Sequence, residues 1–323
     1  MSTATQGASP ANPQEPVRVN HTVRNIIIAV VVAVIVLAGG FFGYNAYAAG
    51  KTGAEKGSAE NPVKIGVVGA TDKQWQVFTQ EAEKQGIHVK IVDFQDYTSE
   101  NPALDSGDLD LNEFQHLLYL ANYNVKNGKD LQPIGGTVVV PLGLYSTKVK
   151  SVDEIKQGDS IAIPNDETNQ ARAIGVLQKA GLVQLKNKWT AVTSPADIDE
   201  AASKVKVVPL GAEKVANSLN DPQLTAGIIN NSYIKDAGLN PKDAIFQDDP
   251  SADSAKPYIN AFVARKADVN NPVYKKLVEV YKTKAVTDAV QEDSKGTSVL
   301  ATDYSAEELQ SFLKEIESDL SSK

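Results

Sequence analysis

The chain has 323 residues, which is enough for two or three domains and a substantial core. Its 42% apolar and 22% charged residues exclude a wholly disordered chain, a collagen-like chain and a polytopic membrane protein. Acidic residues outnumber basic ones 40 to 32 and no long Lys/Arg run occurs, so we expect no nucleic-acid binding. The sequence has no cysteine and only three histidines, which excludes disulfides and cysteine lipidation and argues against a metal site.

The first 61 residues are predicted to direct export rather than to join the folded part. Residues 1–24 are polar and predict a disordered cytoplasmic tail. Segment 25–47 contains an uncharged apolar run at 26–42, which is longer than the usual signal-peptide core and favours a transmembrane anchor. A cleaved signal peptide stays open, because Ala46-Tyr47-Ala48 has the form of a cleavage site. Arg18 and Arg24 place the folded part outside the membrane, after a flexible linker at 48–61.

From residue 62 onward, the sequence alternates between strand and helix patterns. Val63–Val68 predicts a buried strand, the spacing of Trp75, Phe78 and Ala82 predicts a helix, and 88–94 predicts the next strand. Further strand–helix pairs are predicted at 160–163 with 171–180, 205–208 with 212–219, and 224–229 with 233–237. This order indicates α/β layering with mostly parallel sheets.

The C-terminal part predicts helices and a return between two lobes. Helices are expected at 274–281 and 305–320, and the second opens with the capping box Ser305-Ala-Glu-Glu308. The exported part is too long for one typical doubly wound sheet, so we expect two α/β lobes. The stretches 138–145 and 257–263 both contain Pro and are predicted to cross between the lobes. The cleft between such lobes is the expected ligand site.

A search for catalytic and metal motifs finds none that holds. The sequence has no P-loop, G-x-S-x-G, G-x-G-x-x-G or H-E-x-x-H. Residues 108–112 imitate the start of a calcium loop, but Glu113 and Tyr119 occupy the positions that need Gly and Glu. We therefore predict that the protein is not an enzyme and uses neither metal nor cofactor.

Three predicted strand ends carry side chains suited to a small amphoteric ligand. Phe114, His116 and Tyr119 follow one strand, either as ligand contacts or as core residues with a helix cap. Arg172 lies in the first turn of a helix, where it opposes the helix dipole unless it meets a ligand anion or a surface carboxylate. Asn230 follows a third strand, as a ligand contact or a turn residue.

Six segments together resemble the NlpA-type methionine-binding lipoproteins, the solute receptors of bacterial methionine ABC importers. They read KIGVVGATDKQ, DFQDYTSENPALDSGDLDLNEFQHLLYL, VVVPLGLYS, IAIPNDETNQARA, IINNSY and PYIN, and the resemblance extends over about residues 62–263. It implies a two-lobed type II periplasmic-binding-protein fold, with lobe 1 at about 62–140 and 258–323 and lobe 2 at about 144–250. It also implies binding of L-methionine and delivery to an ABC permease and its ATPase.

The resemblance assigns roles to particular residues. The pocket for the ligand side chain would be formed by Tyr97, Phe114, His116 and Tyr119. Arg172 would bind the carboxylate and Asn230 the amino-acid backbone. Further matching segments contain Asn165, Asn169 and Asn260. A thioether packs well on aromatic edges, and Arg offers a carboxylate a planar fork of donors.

The chain departs from the family in two ways. It lacks the lipobox cysteine, so segment 25–47 would anchor a monomeric binding domain to the outer face of the cell membrane, or release it if cleaved. Leu117-Leu118 also stands where members often have Pro. The alternatives are the same fold with another amino acid or a methionine-containing dipeptide, or an enzyme or adhesin on this scaffold.

Overall fold

The computed structural model describes residues 54–235 and 237–322. The predicted tail, the 25–47 segment and the first part of the linker lie outside the described residues. Among the described residues, no helix is both long and apolar enough to cross a membrane.

Eight helices and eleven strands make up the described chain. The helices are α1 (Lys73–Lys84), α2 (Glu100–Ser106), α3 (Leu117–Asn127), α4 (Glu167–Lys179), α5 (Ala212–Ser218), α6 (Pro272–Tyr281), α7 (Lys284–Asp293) and α8 (Ala306–Ser321). The strands are β1 (Val63–Val68), β2 (Val89–Phe94), β3 (Leu111–Asn112), β4 (Leu131–Val139), β5 (Gly143–Tyr145), β6 (Ser160–Pro164), β7 (Lys206–Leu210), β8 (Ala226–Ile229), β9 (Phe246–Gln247), β10 (Ile259–Arg265) and β11 (Val299–Leu300).

The first sheet has the strand order β11-β4-β10-β3-β1-β2. Helix α1 packs on it through Trp75, Phe78 and Ala82, which the helical period places on one face and which are buried. Phe262 of β10 and Tyr281 of α6 complete an aromatic cluster there. The predicted capping box at the start of α8 is present, with Ser305 and Glu308 bonded to each other's backbone.

The second sheet has the order β7-β6-β8-β5-β9, with its own apolar core. The prediction of mostly parallel sheets is wrong, because both sheets are mixed. Strand β1 is parallel to β2 and β3, and β6 is parallel to β7 and β8. In contrast, β10 is antiparallel to β3 and β4, and β5 is antiparallel to β8 and β9. The antiparallel strands β4, β5, β9 and β10 flank the two passages of the chain between the sheets.

The first passage runs from Val139 to Gly143 through Pro141, inside the predicted crossing. The second runs from Gln247 to Ile259 and includes a 3-10 helix at Asp253–Tyr258. The prediction of a return crossing at 257–263 is therefore wrong for most of its length. Its apolar residues form β10, which is buried and pairs on both edges with β3 and β4. Only Pro257 and Tyr258 belong to the passage itself.

The chain just before β1 packs onto the first sheet. The backbone N–H of His88 donates to the Gly57 carbonyl at 2.7 Å. The Lys56 ammonium lies 3.0 Å from an Asp110 carboxylate oxygen. Residues 55–61, which the sequence assigned to a flexible linker, are thus attached to the fold.

Candidate ligand-binding site

A pocket forms where the strand ends of both sheets meet the first passage. Its lining consists of Tyr97, Phe114, Gln115, His116, Tyr119, Val140, Pro141, Leu142, Asn169, Arg172, Asn230, Asn231, Ser232 and Asn260. Eight of the nine residues predicted from the sequence are in that set. The exception is Asn165, which is exposed and does not line the pocket.

His116 joins the first sheet's side of the pocket to the start of helix α3. It is the N-cap residue of α3, and its Nδ1 accepts the backbone N–H of Tyr119 at 3.1 Å. The side chain therefore caps the helix, as one of the two sequence interpretations had it, and it also lines the pocket.

The hydrogen bonds of His116 define its protonation state. Because Nδ1 accepts, the neutral ring carries its proton on Nε2, which faces the Asn169 Oδ1 at 3.4 Å across the cleft. Burial, and then the positive charge of Arg172, lower the pKa of His116 to about 3. The imidazole is thus a neutral donor at physiological pH.

Helix α4 begins on the opposite wall of the pocket. Its N-cap, Asp166, accepts the backbone N–H and the side-chain N–H of Asn169, both at 3.0 Å. The contact between His116 and Asn169 therefore brings the N-termini of α3 and α4 together. Helix N-termini favour negative charge, so both helices favour an anionic group at this end of the pocket.

Arg172 is buried, with 4% of its side chain exposed, and is held by three neighbours. Its Nε and Nη2 donate to the two carboxylate oxygens of Asp248 at 2.7 and 3.2 Å. Nη2 also donates to the Val140 carbonyl at 2.8 Å, and the guanidinium lies 4.0 Å from the centroid of the Tyr258 ring. Among the described residues, none accepts a hydrogen bond from Nη1. That group is therefore available for a ligand.

Asn230 supplies a buried acceptor. It precedes the 3-10 helix Asn231–Tyr233, but its side chain does not cap that helix. Its Oδ1 is buried and has no hydrogen-bond partner among the described residues. A buried amide oxygen without a partner is costly, so this atom is placed to accept a ligand N–H.

The other end of the pocket is aromatic. The Tyr97 ring centroid lies 5.8 Å from Phe114 and 5.2 Å from Tyr233, and Tyr119 makes an edge contact with Phe114 at 5.7 Å. The Tyr119 hydroxyl donates to the Tyr97 carbonyl at 2.8 Å. These rings provide an apolar and polarizable surface.

The two sides of the pocket are in contact. The Tyr97 hydroxyl donates to the Ser232 Oγ at 3.0 Å, and Lys126 of α3 forms an ion pair with Glu167 of α4. Lys235 pairs with Asp72 at 2.8 Å. In this closed arrangement the pocket has a volume of about 40 Å³.

Sequence reasoning missed several pocket residues. Gln115 and Ser232 lie next to predicted residues and belong to the same strand ends, which was a usable signal. Asp248 and Tyr258 act on Arg172 from the second passage, and no local pattern points to them. Within the described ranges, no cluster of three or more His, Asp or Glu side chains is placed to hold a metal ion.

Two mixed β-sheets with their helices, joined by two passages of the chain and with a polar and aromatic pocket at the junction, define the fold of the periplasmic binding proteins. Residues 63–302 match the sequence profile of the NlpA lipoproteins, and the chain belongs to that family. The family predicted from the sequence is thereby confirmed.

Relatives and solved structures extend the match. The "D-methionine-binding lipoprotein MetQ" of Salmonella typhi is 37% identical over 242 residues, which is 74% of this chain and 88% of that protein. A nutrient-binding protein from Burkholderia cenocepacia, solved bound to methionine, is 37% identical with a TM-score of 0.69, covering 74% of this chain and 99% of that one. Protein PG110 from Staphylococcus aureus is 36% identical with a TM-score of 0.73, covering 80% and 99%.

Proposed function

We propose that this protein is an extracytoplasmic solute receptor that binds methionine in the closed pocket and delivers it to a methionine ABC permease and its ATPase. The observation that carries the proposal is the pairing of two unsatisfied groups with an aromatic surface. The Nη1 of Arg172 and the Oδ1 of Asn230 each lack a partner among the described residues. An amino acid supplies an acceptor for the first and a donor for the second.

The ligand carboxylate is assigned to Arg172. The guanidinium offers Nη1, and the N-termini of α3 and α4 add favourable dipoles at the same end. Neutral His116 contributes an Nε2–H donor and no competing charge. The ligand ammonium is assigned to Asn230, whose Oδ1 accepts one of its N–H groups.

The ligand side chain is assigned to the aromatic end. Tyr97, Phe114 and Tyr119 present ring edges and faces without a charged group. A thioether gains from such contacts more than a polar side chain does, because it is apolar and polarizable. A relative named for D-methionine binding and a similar structure solved with methionine support this choice of ligand.

Calorimetric titration of ligand-stripped protein against a panel of amino acids tests the assignment. We expect methionine to bind and to raise the melting temperature by several degrees, since a ligand at 100 times its Kd adds about 2.7 kcal/mol to the unfolding free energy. A panel in which another amino acid stabilises the protein and millimolar methionine does not would contradict the choice of methionine.

A second candidate, a methionine-containing dipeptide, is favoured by a neighbouring cavity. This cavity measures about 230 Å³ and shares Val140, Asn231 and Ser232 with the pocket. It is large enough to take an additional residue of a bound peptide. The same titration distinguishes the candidates, because a dipeptide that binds more tightly than free methionine would make the peptide the ligand.

The membrane attachment and the lobe limits are also proposals. Segment 25–47 is proposed to anchor the protein, with lobe 1 at 62–140 and 258–323 and lobe 2 at 144–250. The division of the strands between two sheets supports these lobe limits. Sequencing the N-terminus of the mature protein tests the anchor, and a product starting at Ala49 would exclude it.

A further inference from the structure

Arg172 is the one cationic side chain among the described residues that line the pocket, and it is already paired with a carboxylate. Only 12% of the Asp248 side chain is exposed, and both of its oxygens are bonded to the guanidinium. The Arg172–Asp248 pair therefore contributes no net charge before any ligand arrives. A lone Arg would attract an anion more strongly.

Asp248 is also tied to the first passage. Its Oδ1 accepts the Leu142 N–H at 2.8 Å, and its own N–H donates to the Leu142 carbonyl at 3.3 Å. The carboxylate is thus fixed by backbone bonds that do not involve Arg172. Its negative charge is therefore held in place independently of the guanidinium.

We propose that Asp248 determines the net charge of the ligand that this pocket accepts. By neutralising Arg172, it favours a zwitterion of net charge zero over an anion of the same shape. Its charge attracts the ligand ammonium and repels the carboxylate, so it favours a ligand that carries both groups over one that carries the carboxylate alone. This inference rests on the proposed binding of an amino acid, and it adds a specificity-determining residue outside the pocket lining.

Asp248→Asn tests the inference, because it removes the charge and leaves the shape. Arg172 keeps its bond to the Val140 carbonyl and its contact with Tyr258, so the guanidinium stays near its place. Two ligands are titrated: methionine, and its 2-hydroxy analogue, an anion in which a hydroxyl replaces the ammonium. Both carry the carboxylate, so any disorder of Arg172 affects them equally and cancels in the ratio of their Kd values.

We expect Asp248→Asn to shift that ratio at least about tenfold in favour of the anion, which is the effect of a unit charge several ångströms away. If the wild type does not bind the anion measurably, its binding to the variant is the expected result. A ratio within twofold of wild type, or methionine binding by the variant with still no anion binding, would overturn the inference. A wild type that binds neither ligand would instead contradict the proposed function.

The neighbouring residue provides a matched control. Asp249 is exposed and bonds to Ser251, so Asp249→Asn makes the same charge change at the surface. We expect it to leave the ratio unchanged. Asp248→Glu keeps the charge and is the second test variant, to be used if Asp248→Asn does not fold. Its ratio should stay within about threefold of wild type even where both affinities fall, and a tenfold shift toward the anion would overturn the inference.

Discussion

The two ends of the pocket are held by different forces. At the polar end, Arg172 is fixed by Asp248, the Val140 carbonyl and the Tyr258 ring, and His116 is fixed by a backbone N–H. At the aromatic end, the rings pack on one another in tilted and edge-on contacts, with distances between ring centroids of 5.2 to 6.3 Å. Hydrogen bonds and charges allow few geometries, whereas ring contacts tolerate small shifts. We therefore propose that the polar end recognises what all amino acids share and that the aromatic end distinguishes among side chains.

The largest effect is expected from removing the cation at the polar end. Arg172→Met should weaken methionine binding by about thirty-fold to several thousand-fold, since it leaves a desolvated carboxylate without its partner. It should also lower the unfolding free energy by about 3–5 kcal/mol, because the largely shielded Asp248 carboxylate, 12% exposed, loses its charged partner. Titration calorimetry and denaturant unfolding measure the two losses.

The double variant Arg172→Met with Asp248→Leu separates the loss of methionine binding from the loss of stability. Replacing a buried ion pair by apolar residues of similar size is often neutral for stability, so most of the stability should return while binding stays lost. A single variant that binds methionine within about threefold of wild type would contradict the carboxylate assignment.

The contrast between Asp248 and Asp249 shows where sequence reasoning ends. The two aspartates are adjacent and identical in type, yet one is bonded to Arg172 and the other is exposed. Arg172 and Asp248 are 76 residues apart, and only the return of the chain between the sheets brings them together. The sequence pointed to Arg172 through its expected place in the first turn of a helix, and that expectation is wrong, because α4 begins at Glu167 and Arg172 lies in its second turn.

The same limit applies to the fold. Local periodicity predicted the β1-α1-β2 unit and the last helix, because their apolar residues face one side. It failed at β10, where a fully buried strand has no alternation and follows a proline. Pairing partners such as β4 for β10 are set by tertiary contacts, so the mixed sheets were not predictable from local pattern.

The second prediction tests whether the polar end depends on a neutral histidine. Burial, and then the charge of Arg172, lower the pKa of His116 to about 3 in the closed pocket, compared with about 6.5 for a solvated imidazole. We expect opening of the pocket to expose this ring, so that the open form takes up a proton below pH 6.5 and binding releases it. Binding should then weaken as the pH falls. We expect the Kd for methionine to rise roughly tenfold per pH unit below 6.5, or about thirty-fold at pH 5.

His116→Asn is the matched control, because Asn is a good N-cap and does not titrate. Burial raises the pKa of Asp166, which would strengthen binding as the pH falls, and that contribution remains in the variant. The difference between the two profiles therefore reports His116. Calorimetry between pH 5 and 8 should give a much flatter profile for the variant, and equal slopes would show that His116 stays neutral in both states.

The third prediction addresses the aromatic end. Tyr119→Ala opens space beside Tyr97 and Phe114, so methionine should lose about tenfold in affinity, the value of roughly two buried methylene groups. The shorter norvaline should lose less, and selectivity should change together with affinity. Competition titrations with methionine and norvaline measure both.

Tyr119→Phe serves as its control. It keeps the ring and removes only the hydrogen bond to the Tyr97 carbonyl, worth about 1 kcal/mol. We expect both ligands to weaken by the same factor. A selectivity change in the Phe variant as large as in the Ala variant would mean that the hydroxyl, rather than the ring, contacts the ligand side chain.

The smallest effect is expected at the rim, outside both ends. Lys126 and Glu167 join helix α3 to helix α4 across the cleft, but about half of each side chain is exposed. Exposed ion pairs contribute about 0.2–1 kcal/mol and weaken with salt. Lys126→Ala should therefore speed methionine release by less than about fivefold, and the difference should disappear at high salt. Lys284→Ala breaks a more exposed pair with Asp288 inside one helix, and it should leave release unchanged. Stopped-flow measurements at low and high salt compare the two variants. Equal effects of the two variants on the release rate would show that the rim pair acts only on general stability. A release rate raised more than about tenfold by Lys126→Ala would place the control of closure at the rim rather than in the pocket.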